Sequence, residues 1–130
     1  MQQVYQAWKE QVEFVTVYVR EAHPVDDDRP ATPTNSLAGI LIRQPTTLDE
    51  RCSVAKRCAT ALHLDMPLVV DGIDNRVAES YRAEPNRLYV VDRKGRIAYR
   101  GGPGPFGFNP SEMEQTLVLL LHEERYPDQK

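Results

Sequence analysis

The chain contains one almost continuous run of β-branched and aromatic residues, Val12 to Val19, within the segment VEFVTVYVREAHP. A run that alternates so little between apolar and polar positions predicts a strand buried on both faces of a mostly parallel sheet. This single segment predicts a fold of the α/β class.

An acid and an imidazole follow that strand two positions apart, at Glu21 and His23. Ligands and reactive groups in open α/β sheets gather at the carboxyl edge, where this pair leaves the sheet. The two residues are therefore a candidate acid–base site. Spacing alone leaves the alternative open, which is a solvated pair that follows a strand and does no chemistry.

Length and charge narrow the classes of function. A chain of 130 residues fits one domain, residues 1–130, that can bury a hydrophobic core without disulfides or a structural metal ion. The 16 Lys and Arg residues are scattered and the net charge is −3, so nucleic acid is not an expected partner. No membrane span or signal peptide is predicted, and the expected location is cytoplasmic.

Local signals predict the remaining elements. Residues 1–11 resemble the end of a helix, and the proline-bearing segment Pro24 to Thr47 predicts a long loop insertion, either a functional lid or a mobile insertion. Thr47 and Glu50 fit a capping box for a helix that runs to about His63. The other expected elements are a strand Pro67 to Asp71, a brief helix capped by Asp74, a hairpin of Leu88 to Val91 and Arg96 to Tyr99, an irregular segment Gly101 to Phe108, a helix beginning at Pro110 and a polar tail over 123–130.

The two cysteines, Cys52 and Cys58, fall on the helix that follows the capping box, too far apart in helical geometry for a disulfide. Cys52 is expected to be a small buried hydrophobe in an apolar stripe, and Cys58 is either part of its edge or a partly exposed thiol. That stripe comprises Leu48, Cys52, Ala55, Ala59 and Leu62. The three histidines lack paired ligand spacing, so neither a metal nor another cofactor is predicted.

Several blocks occur in an order that resembles the iodothyronine deiodinase family, and in particular its bacterial deiodinase-like branch of thioredoxin-fold proteins. These blocks are VEFVTVYVREAHP, TLDERCSVAKRC, PLVVDGIDN, RLYVVDRKGRIAYRGGPGPFGF and NPSEMEQTL. The resemblance implies a thioredoxin-like fold, with a mixed central sheet flanked by helices, and an oxidoreductase that uses a thiol reductant.

The resemblance maps the family's Tyr, Glu and His of the second strand onto Tyr18, Glu21 and His23, as residues for proton transfer and for positioning a phenolic substrate. The family's nucleophile, a selenocysteine or cysteine, precedes the helix whose end residues 1–11 would represent. The chain is thus expected to lack the first strand and most of the first helix. One hypothesis is a truncated reading frame in which a UGA codon was read as a stop, which the upstream DNA would test.

Three positions depart from the family pattern. A histidine of the family falls on Pro45, an arginine of its glycine-rich loop falls on Pro103, and its second cysteine falls on Met66. The first two help to hold iodothyronine in the family, so the expected substrate is a halogenated or peroxide-type small molecule rather than the hormone itself.

Three functions follow as expectations. The first is a deiodinase-like oxidoreductase whose nucleophile is absent, so that the 130 residues alone are inactive. The second is a non-catalytic thioredoxin-like module that binds a partner, or forms a homodimer, through sheet edges exposed by the missing strand. The third is a peroxiredoxin-like or thiol–disulfide relay protein, although Pro85 lies one residue too far from the next strand to match the cis-proline of thioredoxins.

Overall fold

A computed structural model describes residues 1–26 and 41–127 of the chain. These residues form a mixed α/β structure that divides into two compact units. The N-terminal unit comprises Gln2 and Val4–Ala83, and the C-terminal unit comprises Met1, Gln3 and Glu84–Lys130. Each unit contains one two-stranded sheet within the described ranges.

The N-terminal unit is built on a short parallel pair of strands. Strand β1 pairs with β2 in the register Thr16↔Leu68, Val17↔Val69 and Tyr18↔Val70. The pairing continues one step further, because the Asp71 amide donates to the Tyr18 carbonyl at 2.9 Å. The elements of this unit are α1 (Gln2–Trp8, apart from Gln3), β1 (Thr16–Tyr18), α2 (Leu48–Ala61), β2 (Leu68–Val70) and α3 (Arg76–Tyr81).

The first strand is shorter and less buried than the sequence predicts. The expectation of a strand from Val12 to Val19, buried on both faces, is wrong: only Thr16–Tyr18 is strand, and Val15 is 61% exposed. The apolar run is divided among other contacts, since the Val12 amide donates to the Trp8 carbonyl and the Phe14 ring packs edge-on against Tyr5. Three residues remain to pair with β2.

Helix α2 begins as the sequence predicts and buries a different face. The capping box is confirmed, because the Thr47 hydroxyl accepts from the Glu50 amide and the Glu50 carboxylate accepts from the Thr47 amide. The expected apolar stripe is wrong at both ends: Leu48 and Leu62 are exposed, and Cys52 is only half-buried. The buried residues of α2 are instead Arg51 and Ala55.

The short helix α3 has a different cap from the expected Asp74. Asn75 occupies the cap position in a left-handed conformation (φ 56°) and makes no side-chain capping bond. The Asp71 carboxylate, 3% exposed, accepts hydrogen bonds from the amides of Val77 at 3.1 Å and Ala78 at 2.9 Å. A buried carboxylate at the end of β2 needs donors, and the free amides of the next helix supply them.

The C-terminal unit is a hairpin covered by one helix. Strands β3 (Tyr89–Val91) and β4 (Ile97–Arg100) pair antiparallel, and the turn glycine Gly95 has φ 77°, as predicted for this hairpin. Helix α4 (Pro110–Arg125) packs on both strands, with Pro110 in its first turn and Asn109 as its cap. Its buried residues are Met113 and Leu117, and Leu88 and Val90 are buried on the hairpin side.

The Pro85 peptide bond, the C-terminal tail, the loop insertion and the absence of a membrane span were also expected from the sequence, with different outcomes. The Glu84–Pro85 bond is cis, although the spacing of Pro85 argued against a cis-proline. The expected polar tail is helical through Arg125. Most of the expected loop insertion Pro24 to Thr47 lies outside the described residues. Among the described residues, no helix combines the length and apolarity needed to cross a bilayer.

Candidate active site

The candidate site lies at the carboxyl edge of the β1–β2 sheet. Tyr18 is the last residue of β1, and Asp71 directly follows β2. Glu21 comes three residues after β1, in the turn that leads to His23 and Pro24. The structure therefore gathers polar side chains at the edge of a parallel pair where open α/β sheets carry their ligands.

Tyr18 contributes a buried hydroxyl. Within the described part of the chain, its Oη makes no hydrogen bond. Buried polar atoms are ordinarily paired, and exceptions concentrate at sites that bind a ligand or a water molecule. A phenolic oxygen at this edge can donate to, or accept from, a bound substrate.

Glu21 is a half-buried carboxylic acid. Burial raises the pKa of its carboxyl above the ordinary value, and the positive charge of Arg51 opposes that rise. Desolvation disfavours the charged form of an acid, so the protonated form of Glu21 persists to higher pH than that of a solvated glutamate. A carboxyl shifted in this direction can donate a proton at pH values where a solvated glutamate has already lost it.

The backbone of Glu21 is held by the side chain of Gln44. The Glu21 amide donates to Gln44 Oε1 at 3.1 Å, and Gln44 Nε2 donates to the Glu21 carbonyl at 3.0 Å. The backbone amide of Gln44 donates in turn to Asp26 Oδ1 at 2.8 Å. The turn after β1 is thereby tied to the segment that precedes α2.

Arg51 is a buried cation that sequence reasoning missed. It is 2% exposed, and its guanidinium donates to the carbonyls of Asp71 at 3.2 Å and Gly72 at 2.6 Å and to Asn75 Oδ1 at 2.9 Å. Its Nε is also buried and makes no hydrogen bond among the described residues. The available signal was its spacing of four from Ala55, which places both residues on one face of α2.

His23 lies on the surface, next to Pro24, one of the largest fully buried side chains. Within residues 1–26 and 41–127, no hydrogen bond or ion pair joins its imidazole to the Glu21 carboxylate. The structure thus brings Glu21 together with Arg51 and Gln44, and it leaves His23 accessible on the same turn. The orientation of His23 by Glu21 stays a prediction.

Cys58 is the thiol that interacts with this site. Burial and the negative charge of Glu21 raise the pKa of its thiol, while Arg57 lowers it. The thiol rather than the thiolate is therefore favoured, which is the opposite of what a nucleophilic cysteine needs. The described residues contain no cluster of three or more His, Cys, Asp or Glu side chains arranged to hold a metal ion.

Comparison with known proteins identifies the family. Residues 1–120 match the sequence family described as iodothyronine deiodinase, and the chain belongs to that family. It is 33% identical over 105 residues to the type I iodothyronine deiodinase of Xenopus laevis, covering 81% of this chain and 38% of that relative. It is 33% identical over 129 residues to the thyroxine 5-deiodinase of Homo sapiens, covering 94% of this chain and 36% of that relative.

A further relative is the type II iodothyronine deiodinase of Rattus norvegicus, with 32% identity over 107 residues, which covers 81% of this chain and 39% of the relative. The chain therefore spans about two-fifths of the length of the curated relatives it matches. The resemblance expected from the sequence blocks is confirmed at the level of the family.

Proposed function

We propose that this chain provides the proton-transfer part of a deiodinase-like oxidoreductase with a thioredoxin-like fold. The observation that carries the proposal is the half-buried Glu21, whose carboxyl pKa is raised, at the carboxyl edge of a parallel strand pair. The buried Tyr18 hydroxyl, which makes no hydrogen bond to the described residues, ends strand β1, and the accessible His23 imidazole lies in the turn that follows. Membership of the iodothyronine deiodinase family supports redox chemistry for such a site.

The proposed reaction is a reductive dehalogenation. A selenolate or thiolate attacks the halogen of a halogenated small molecule, and the electrons of the carbon–halogen bond remain on carbon. That carbon takes a proton from His23, and the imidazole regains a proton from Glu21 through water. A thiol reductant then reduces the chalcogen–halogen product. Tyr18 holds the polar group of the substrate, and a peroxide is the alternative substrate class.

The proposal gives neither Cys52 nor Cys58 the role of nucleophile. Both lie on α2, and burial together with Glu21 disfavours the Cys58 thiolate. The attacking group then comes from outside these 130 residues, and the chain alone should not turn over. Dehalogenation by the isolated chain that disappears in Cys58→Ser would contradict this assignment.

The test is an iodide-release assay on the product of the gene, including any coding sequence upstream of Met1. The substrate is an iodinated phenol, and the reductant is dithiothreitol. We expect His23→Ala to lower the rate by about a hundredfold or more, since a positioned acid contributes that much. Cys52→Ser is the control and should retain activity. A wild-type rate in His23→Ala would remove His23 from the reaction.

A second candidate function is a non-catalytic module that binds a partner or a second copy of the chain. The observation that favours it is an exposed apolar pair on the β1–β2 sheet, since Val17 and Val69 are register neighbours and are 37% and 49% exposed. Full partner binding by His23→Ala, with no dehalogenation by the wild-type protein, would favour this candidate over the enzyme.

A further inference from the structure

Gln44 satisfies the backbone of Glu21 in the way that a neighbouring strand would. Its carboxamide accepts from the Glu21 N–H and donates to the Glu21 C=O, with both donor–acceptor distances close to 3 Å. A residue in a β-ladder exchanges the same two bonds with a backbone partner. Here one side chain makes both bonds, just beyond the last strand residue of β1.

The backbone around Gln44 is also hydrogen-bonded to the turn that contains Glu21. The Gln44 amide donates to Asp26 Oδ1 at 2.8 Å, and the Val25 amide donates to the Ile42 carbonyl at 2.9 Å. Four hydrogen bonds thus join the turn at residues 21–26 to residues 42–44. His23 lies between two fixed points of this turn, next to the fully buried Pro24.

The chemistry of the contact explains the residue type. A neutral carboxamide carries one acceptor and one donor at the end of the same side chain. An ionised carboxylate has no donor, and a lysine or arginine has no acceptor. Asparagine carries the same group on a side chain that is one methylene shorter.

We propose that Gln44 is a positioning residue for the turn at residues 21–26, called the acid–base turn below. Its carboxamide fixes the peptide of Glu21 and thereby presents Glu21 and His23 to a substrate at the carboxyl edge of the sheet. The catalytic meaning of this inference rests on the proposed function, whereas the anchoring of Glu21 does not. The structural and the catalytic parts can therefore fail separately.

The structural test is amide hydrogen exchange at Glu21, expressed as a protection factor. Gln44→Ala removes the acceptor, so the protection factor should fall by roughly fivefold, the effect of a hydrogen bond of average strength. Gln6→Ala is the matched control, because Gln6 lies in the same unit and donates only to Asp65 among the described residues. It should leave the protection of Glu21 unchanged. Unchanged protection in Gln44→Ala would overturn the inference.

A second variant separates anchoring from general loss of structure. In Gln44→Glu the ionised carboxylate can still accept from the Glu21 N–H, but it has no proton to donate to the Glu21 carbonyl oxygen and repels that oxygen, so the whole contact is weakened. The protonated carboxyl regains the donor and removes the repulsion. The protection of Glu21 should therefore recover towards the wild-type value as pH falls, with no such recovery in Gln44→Ala. A loss of protection spread evenly over the N-terminal unit, without recovery on acidification, would overturn the inference.

The catalytic test uses the same iodide-release assay. Gln44→Glu should lower kcat by about tenfold at neutral pH, with a smaller change in KM, because misplacement of the acid–base turn affects the chemical step more than binding. The ratio of its kcat to the wild-type kcat should rise on acidification. An equal loss at every pH would overturn the positioning role. A wild-type enzyme that releases no iodide would instead contradict the proposed function and leave the exchange test to decide the anchoring.

Discussion

At the scale of single residues, the site depends on how Glu21 is solvated. Burial pushes its carboxyl towards the neutral form, and the guanidinium of Arg51 pulls it towards the charged form. Burial is the larger influence, so the pKa of the carboxyl lies above the ordinary 4.5. The same carboxyl acts on a neighbour, because its charge contributes to the raised pKa of the Cys58 thiol.

The raised pKa of Glu21 predicts a pH-dependent cost to folding. Folded Glu21 binds its proton more tightly than unfolded Glu21, so unfolding releases protons at pH values from about 4.5 up to the raised pKa. The stability associated with the protonated carboxyl is fully present below that window and is lost as pH rises through it. Glu21→Gln should remove this dependence of stability on pH. The free energy of unfolding of Glu21→Gln, relative to that of the wild type, should therefore increase as pH rises.

Urea denaturation at about four pH values between about 4 and 7 measures the difference in free energy of unfolding between Glu21→Gln and the wild type. Glu13→Gln is the matched control, since Glu13 is an exposed carboxylate in the same unit. A wild-type stability that runs parallel to that of Glu21→Gln over the whole series would contradict the raised pKa.

The coupling of Glu21 to Cys58 predicts opposite effects of two substitutions on thiol reactivity. Glu21→Gln removes a negative charge that raises the pKa of the Cys58 thiol, so alkylation of Cys58 by iodoacetamide at pH about 8 should become faster. Arg57→Met removes a charge that lowers this pKa, so alkylation should become slower. Mass spectrometry of the Cys58 peptide measures both rates, and a shift in the same direction for both variants would contradict the electrostatic explanation.

At the scale of elements, helix α2 is held to the sheet by a polar contact as well as an apolar one. Its buried residues are Ala55 and Arg51, and Arg51 donates to the two carbonyls that follow β2 and to the Asn75 side chain. These bonds satisfy backbone carbonyls beyond the last strand residue, where no strand partner does so. The guanidinium therefore fixes the carboxyl end of β2 against the helix.

This contact predicts a large effect for Arg51→Met. The substitution leaves two carbonyls and one side-chain oxygen without their donor, and the expected loss in the free energy of unfolding is about 3 kcal/mol. Loss of the Arg51 charge should also raise the pKa of Glu21 further. Urea denaturation and NMR titration of the Glu21 carboxyl measure the two effects. Arg57→Met, an exposed arginine of the same helix, is the control and should change stability little.

Elements specified by neighbouring residues could be predicted from the sequence. The capping box of α2, the turn glycine Gly95 and the Asn109–Pro110 start of α4 are all confirmed, because each depends on residues a few positions apart. Membership of the family was also readable from the order of sequence blocks.

Features that depend on distant partners could not be predicted. Arg51 is buried because oxygens 20 to 24 residues away accept hydrogen bonds from its guanidinium, and Gln44 binds Glu21 across 23 residues. The Asp71 carboxylate, buried at the end of β2, accepts from the amides of Val77 and Ala78, a role that the sequence suggested for Asp74. The strand β1 ends where its pairing with β2 ends, which the apolar run alone does not reveal.

At the scale of the whole molecule, both units leave apolar residues on their sheets exposed. Val17 and Val69 are register neighbours in one sheet, and Val91 and Ile97 are register neighbours in the other, at 50% and 56% exposure. Within the described residues each sheet has two strands, so β1 and β3 each have one partner. Open strand edges and exposed cross-strand apolar side chains are features that association with a second chain can bury.

We therefore expect the chain to self-associate, with the β1–β2 sheet in the interface. Sedimentation velocity over a range of concentrations measures this. Val69→Lys should raise the Kd by roughly tenfold or more, because a symmetric interface loses the apolar contact twice and must desolvate two charges. Val118→Lys is the matched control, since Val118 is 43% exposed on α4 and lies outside both sheets. A monomer at every concentration would contradict the expectation, and equal dissociation by the two variants would remove the sheet from the interface.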